Sequence, residues 1–125
     1  MPIDPTQPYD DGNVFAKILR GELPSRKVYE DDDVFAFHDI HPAAPVHFLL
    51  IPKRHISSLY DVSEADQPLL GKMLWLIPQL AKEQGCANGF RTIINTGRVG
   101  GQEVLHLHIH IIAGKDRLPT MIHHG

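Results

Sequence analysis

The apolar positions of this chain change period several times, and each change marks an expected element. Val14, Phe15, Ile18 and Leu19 recur at helical spacing behind Asn13, a good N-cap, and Gly21 closes the short helix. Residues 27–30 and 34–38 are strand-like runs on either side of Asp31, Asp32 and Asp33, which predicts a hairpin. Pro42 and Pro45 punctuate the next connection. Residues 46–51, mostly apolar and ended by Pro52, read as a central strand buried on both faces.

Leu69, Leu70, Met73, Leu76, Ile77, Leu80 and Ala81 then form one wide helical stripe. Ser63 and Asp66 fit a capping box, although Pro68 is better tolerated if the helix starts nearer Asp66. Pro78 predicts a kink, because it removes a hydrogen bond and crowds the Leu74 carbonyl, and Gly85 ends the helix. Trp75 lies on the far side from the stripe. It is either an isolated exposed aromatic or a contact with a second copy of the chain. Residues 90–95 read as a strand, 97–101 as a glycine-rich turn and 104–112 as the last strand. Residues 1–12, with Pro2, Pro5 and Pro8, read as a flexible arm, residues 13–114 as the domain and 115–125 as an irregular polar tail. The expected fold is α+β, a single domain with an antiparallel sheet of about five strands covered by two helices.

Composition narrows the function. A length of 125 residues suits one compact domain. The single Cys86 allows no internal disulfide and no zinc site built on paired cysteines, which fits a reducing cytoplasm. The N-terminus has neither a basic start nor an apolar centre, so no signal peptide is expected. The apolar runs are too short for a bilayer, so no membrane role is expected either. A formal net charge of −3, with Lys and Arg scattered apart from Lys53-Arg54, argues against long nucleic acid but not against a small anion.

The candidate chemistry lies in the histidines. There are nine, and His106, His108 and His110 alternate with Leu107, Ile109 and Ile111. On a strand this sends the apolar residues to the core and the three histidines together to the other face, roughly 6–7 Å apart at about 3.3 Å per residue. Three readings follow: a solvated histidine face, a zinc site built from neutral imidazoles, and covalent catalysis in which an imidazole attacks phosphorus. Asn95, Gly97, Gly100 and Gly101 immediately upstream make a loop whose backbone can approach an anion. That favours the phosphate reading without removing the metal.

The string from His106 to Ile112 resembles the histidine-triad motif. Ala36-Phe37-His38-Asp39-Ile40, Ala44-Pro45-Val46-His47-Phe48-Leu49-Leu50-Ile51-Pro52-Lys53, Asn95 and Gly100-Gly101-Gln102 match the same family in order. The resemblance runs from about Asn13 to Gly114. It is nearest to the histidine-triad nucleotide-binding branch with purine nucleoside phosphoramidase activity. It implies a dimer paired through the long helix and a sheet edge, which favours the second-copy reading of Trp75. It also implies no metal or other cofactor, and hydrolysis of a purine nucleotide at its α-phosphorus through a nucleotidyl-histidine to release a nucleoside monophosphate such as AMP. His108 then takes the role of nucleophile, and His106, His110 and His47 complete its proton and hydrogen-bond network. Histidine rather than glutamine at position 110 implies a hydrolase rather than a nucleotidyl transferase. Asp39 falls on the ribose contact. Asn95, Gly101, Gln102 and Glu103 fall on positions near the phosphate and leaving group, and Val14, Phe15, Ile18, Phe37 and Ile40 on the apolar slot for the base. His38, His41 and His55 read as structural or surface residues, and His123 and His124 as tail. Glu103, Pro78 and the tail after Gly114 depart from the family pattern. Two rivals stand beside this reading: a nucleotide-binding regulatory protein, and a metal enzyme using His106, His108 and His110 as ligands.

Overall fold

The computed structural model describes residues 8–122; His123, His124 and most of the proline-rich start lie outside them. Helix α1 spans Val14–Leu19, and the Asn13 side chain caps it by accepting from the Ala16 amide. Strands β1 (Lys27–Glu30) and β2 (Val34–His38) flank the three aspartates. Asp31 Oδ1 accepts from the amides of Asp33 at 2.8 Å and Val34 at 3.0 Å, which fixes the turn locally. Strand β3 spans Val46–Pro52, β4 spans Arg91–Ile93 and β5 spans Ile109–Ala113. All pair antiparallel in the order β1-β2-β3-β5-β4.

Helix α2 spans Gln67–Glu83. Both start signals in the sequence are used. Ser63 and Asp66 form the capping box of a 3-10 turn over Glu64–Asp66, and α2 follows with Pro68 in its first turn, where the missing N–H costs nothing. The helix runs on through Pro78 as one element.

The sheet has two faces with different jobs. Val34 and Ala36, Phe48 and Leu50, and Ile109 and Ile111 alternate onto the α2 face, where Met73, Leu76, Ile77 and Leu80 close the main core. Phe35, Phe37, Leu49 and Ile51 alternate onto the other face and pack with Phe15 of α1. Burying one such side chain contributes roughly 1.5–3 kcal/mol, so both layers are needed for a domain this small. Trp75 and Leu74, 65% and 58% exposed, stand on the outer side of α2. No helix among the described residues is long and apolar enough to cross a membrane.

Three expectations need correction. The strand expected over 90–95 is paired only over Arg91–Ile93. The last strand, expected over 104–112, starts at Ile109. Its ladder with β3 runs from Val46↔Ala113 to Leu50↔Ile109 and stops before Pro52, which has no N–H to donate. The Leu107 amide instead donates to the Ile56 carbonyl at 2.7 Å, so residues 104–108 follow a separate path. Finally, Tyr9 of the expected flexible arm is anchored to the domain, with its ring stacked on His55 at 4.4 Å and its hydroxyl on His106 at 2.6 Å.

Asp31 ties the hairpin to α2 as well as to its own turn. Burial pushes its carboxyl up, but Lys72 Nζ, the Asp33 and Val34 amides and the Tyr29 hydroxyl outweigh that and hold it well below the usual carboxylate range. A depressed carboxylate contributes stability above its unfolded pKa of about 4 and loses it as pH falls toward the folded value. Asp31→Ala is therefore expected to lower unfolding free energy by about 1–2 kcal/mol near neutrality. As pH falls from about 4 to about 2 the difference from the unsubstituted protein should shrink steadily. Equal losses at about pH 7 and about pH 2 would contradict this account.

Candidate active site

A cavity of about 570 Å³ opens on the sheet face opposite α2. Val14, Phe15 and Ile18 of α1 form one apolar wall, and Phe37 and Leu49 the floor. Ile40, 82% exposed, stands at the rim. Asp39, Asn95, Gly101, Glu103, His108 and His110 supply the polar lining, and among the described residues no Lys or Arg lines the cavity.

Hydrogen bonds to groups of fixed chemistry settle the histidine tautomers. His108 Nδ1 lies 2.7 Å from the His106 carbonyl oxygen, which can only accept. Nδ1 therefore carries the proton, and burial pushes the His108 pKa down, keeping the ring neutral with a bare lone pair on Nε2. The Phe15 ring meets His108 edge-on at 4.9 Å and helps fix its plane.

His110 has the opposite arrangement. The Ala43 amide donates to His47 Nδ1 at 2.9 Å, so His47 carries its proton on Nε2. That nitrogen lies 2.9 Å from His110 Nδ1, which must accept. Burial, with the neighbouring His108 and His47, lowers the His110 pKa to about 4, so the neutral ring holds its proton on Nε2. His108 thus offers a lone pair and His110 an N–H, with ring centroids 5.0 Å apart.

The expected convergence of all three histidines is corrected here. His106 is fully buried, does not line the cavity, and bonds Pro52 O through Nε2 at 2.8 Å and the Tyr9 hydroxyl through Nδ1. Burial holds its pKa at about 4. The chain leaves the sheet before residue 109, so simple alternation does not carry back to position 106. Both His106 nitrogens are engaged, which removes the His106–His108–His110 metal set. The group that brings ligand atoms within 4.8 Å of one another is instead Asp39, His47 and His110.

Gln102 is also displaced from its expected role. Its side chain is buried, with Oε1 accepting from the Gly97 amide at 2.9 Å and Nε2 donating to the carbonyls of Ser57 at 2.7 Å and Val104 at 2.9 Å. It braces the loop while Gly101, Glu103 and Val104 face the cavity. His47 stands behind His110 rather than in the lining. His38, read from sequence as structural or surface, lines the cavity, as do Leu23, Pro24 and Ser25, which sequence reasoning missed. Pro24, in the connection between α1 and β1, carried no sequence signal for the cavity.

Gly100 shows why the loop is glycine-rich. A Cβ there would sit 2.5 Å from the Thr96 carbonyl oxygen and 2.7 Å from its nitrogen, both backbone atoms that cannot swing aside. Gly100→Ala is expected to cost about 1–3 kcal/mol of stability and to shift the amide resonances of residues 97–102. Unchanged spectra and melting would show that the loop absorbs the methyl group.

The comparisons agree with this geometry. A profile of the HIT domain matches residues 20–117. The chain is 54% identical over 102 residues to protein HitA of Neisseria gonorrhoeae, covering 82% of this chain and 95% of that one. It is 45% identical over 113 residues to a purine nucleoside phosphoramidase of Escherichia coli strain K12, covering 90% and 95%. A solved histidine triad protein from Clostridium difficile superposes with a TM-score of 0.84 at 47% identity, over 90% of this chain and 98% of that one. A HIT family hydrolase from Legionella pneumophila Philadelphia 1 gives 0.79 at 42%, over 82% and 93%. By sequence along most of its length and by the architecture that carries its histidines, this chain is a member of the HIT domain family.

Proposed function

We propose that this protein hydrolyses the P–N bond of purine nucleoside 5′-phosphoramidates through a covalent nucleotidyl-His108 intermediate, releasing a nucleoside monophosphate such as AMP. The observation that carries this reading is the complementary pair in one cavity, a bare Nε2 on His108 and an N–H on His110. The Escherichia coli relative, named as a purine nucleoside phosphoramidase, supports the same substrate class. So does the lining, because Asp39 and Glu103 without Lys or Arg suit one phosphate and a neutral or cationic leaving group better than a polyphosphate.

The base lies between Val14, Phe15, Ile18, Phe37 and Ile40, and the ribose hydroxyls donate to Asp39. His108 Nε2 forms a bond to the α-phosphorus as the P–N bond breaks. The His108 ring becomes cationic, and the His106 carbonyl, already accepting from Nδ1–H, stabilises that charge. His110 Nε2–H donates a hydrogen bond to a phosphoryl oxygen and steadies the developing charge, while the departing amine takes its proton from solvent. Water then attacks phosphorus, the His108–phosphorus bond breaks, the water's proton returns to solvent and His108 is neutral again. No metal or other cofactor enters this sequence. Two copies pair through the outer face of α2, where Leu74 and Trp75 are exposed, and through the edge strand β4. The unpaired Cys86 suits a cytoplasmic setting.

Rapid denaturing quench of the enzyme with adenosine 5′-phosphoramidate, followed by mass spectrometry, is expected to show one nucleotidyl group on His108. His108→Ala is expected to remove the adduct and lower turnover by roughly a thousandfold or more. Turnover that survives His108→Ala would overturn the nucleophile assignment. Nucleotide binding with neither adduct nor turnover would favour a binding protein.

Glu103 makes no ion pair among those found for the described residues and lines the cavity beside His108. We assign it to the leaving group. Glu103→Gln is expected to lower the kcat/KM ratio of an ammonium-bearing amine over a neutral amine by about twofold to fivefold, the size of an exposed ion pair. An unchanged ratio would place the leaving group elsewhere.

A further inference from the structure

The segment that carries the nucleophile lies outside the sheet ladder. Strand β5 begins at Ile109, so no strand pairing holds residues 106–108. Two anchors hold them instead. The Leu107 amide donates to the Ile56 carbonyl, and the buried His106 ring bridges the end of β3 to Tyr9. The carbonyl that fixes the His108 tautomer belongs to this same His106.

Each proton in the second anchor can be assigned. Pro52 O can only accept, so His106 Nε2 carries the hydrogen. His106 Nδ1 is then bare and accepts from the Tyr9 hydroxyl at 2.6 Å. The Tyr9 oxygen in turn accepts from Asn13 Nδ2 at 3.0 Å, which leaves its own hydrogen free for His106. Asn13 also caps α1 through Oδ1, so one side chain orients both the tyrosine and the helix that walls the cavity. Stacking on His55 at 4.4 Å and 14° holds the tyrosine ring flat against the domain.

We propose that Tyr9 is a positioning residue for the reaction: its hydroxyl holds His106 in one tautomer and one ring plane, and so holds the His106 carbonyl where it keeps His108 Nε2 bare and aimed at phosphorus. Tyr9 does not line the cavity and touches no substrate. It acts through His106. Without the hydroxyl, His106 Nδ1 is an unsatisfied acceptor in a buried site, and the ring relieves this by rotating or exchanging tautomer at the expense of the Pro52 bond. Either movement shifts the His106 backbone and loosens the hydrogen bond on His108 Nδ1. The segment before α1 is thereby part of the catalytic apparatus.

This inference rests on the role proposed for His108, and the test separates the two. Tyr9→Phe keeps the ring, its stacking and its bulk and removes only the hydroxyl. The histidine ring nitrogens of both proteins are read by 15N NMR without substrate, and adenosine 5′-phosphoramidate turnover is then measured. In the unsubstituted protein His106 should show a single Nε2–H tautomer. In Tyr9→Phe that signature should be lost or averaged, with kcat lower by roughly tenfold and KM within about twofold, because the base and ribose contacts are untouched. An unaltered His106 tautomer with unchanged kcat would overturn the proposal. A raised KM at unchanged kcat would also overturn it, placing Tyr9 in support of the α1 wall instead. If the unsubstituted protein does not turn over the phosphoramidate, the proposed function fails. The spectra still decide whether Tyr9 sets the His106 tautomer.

Discussion

Much of this molecule is arranged around the hydrogen bond from His108 Nδ1–H to the carbonyl of His106. An imidazole free to exchange tautomers would present its lone pair for only part of the time. A backbone carbonyl cannot donate, so it removes that freedom completely at this position. The bond is short because neither partner has water to compete for it, both residues being buried. Phe15 against the ring, Ile56 on the Leu107 amide and Pro52 on the His106 ring constrain the same small segment from three directions.

A second carrier of orientation enters from the opposite side. The connection between β2 and β3 passes Asp39 and Ala43, and Asp39 is tied to β3 by its amide on the His47 carbonyl at 2.9 Å. The Ala43 amide sets the His47 ring, and His47 sets His110. Two main-chain groups, one acceptor and one donor, therefore assign opposite protonation patterns to neighbouring rings.

Much of this was legible in the sequence. Both helices, the Asn13 cap, the three-aspartate turn and the Ser63–Asp66 box follow from local chemistry that needs no tertiary partner, and the five strands were legible as elements although pairing sets the bounds of β4 and β5. The apolar slot and the polar rim were legible through the family motif, and Val14, Phe15, Ile18, Phe37, Asp39, Ile40, Asn95, Gly101 and Glu103 do meet in one cavity. The failures share a cause. His106 and Gln102 lie in a stretch where period-2 alternation no longer applies, and the loop path depends on Ile56, Ser57 and Pro52, which are distant in sequence. Tyr9 sits among prolines and acidic residues that read as an arm, and its contacts with His55 and His106, both distant in sequence, give it a place.

Strand β3 has a consequence for how the molecule is made. It alternates Phe48 and Leu50 into the main core with His47 and Leu49 toward the cavity, and it pairs with neighbours on both sides. A slip of one residue in its pairing would send every side chain to the wrong face. The main core would then meet an imidazole, and the His47–His110 contact would be lost. A misregistered chain would therefore be poorly packed and would also lack the His47–His110 pair, so one register error spoils the core and the cavity together.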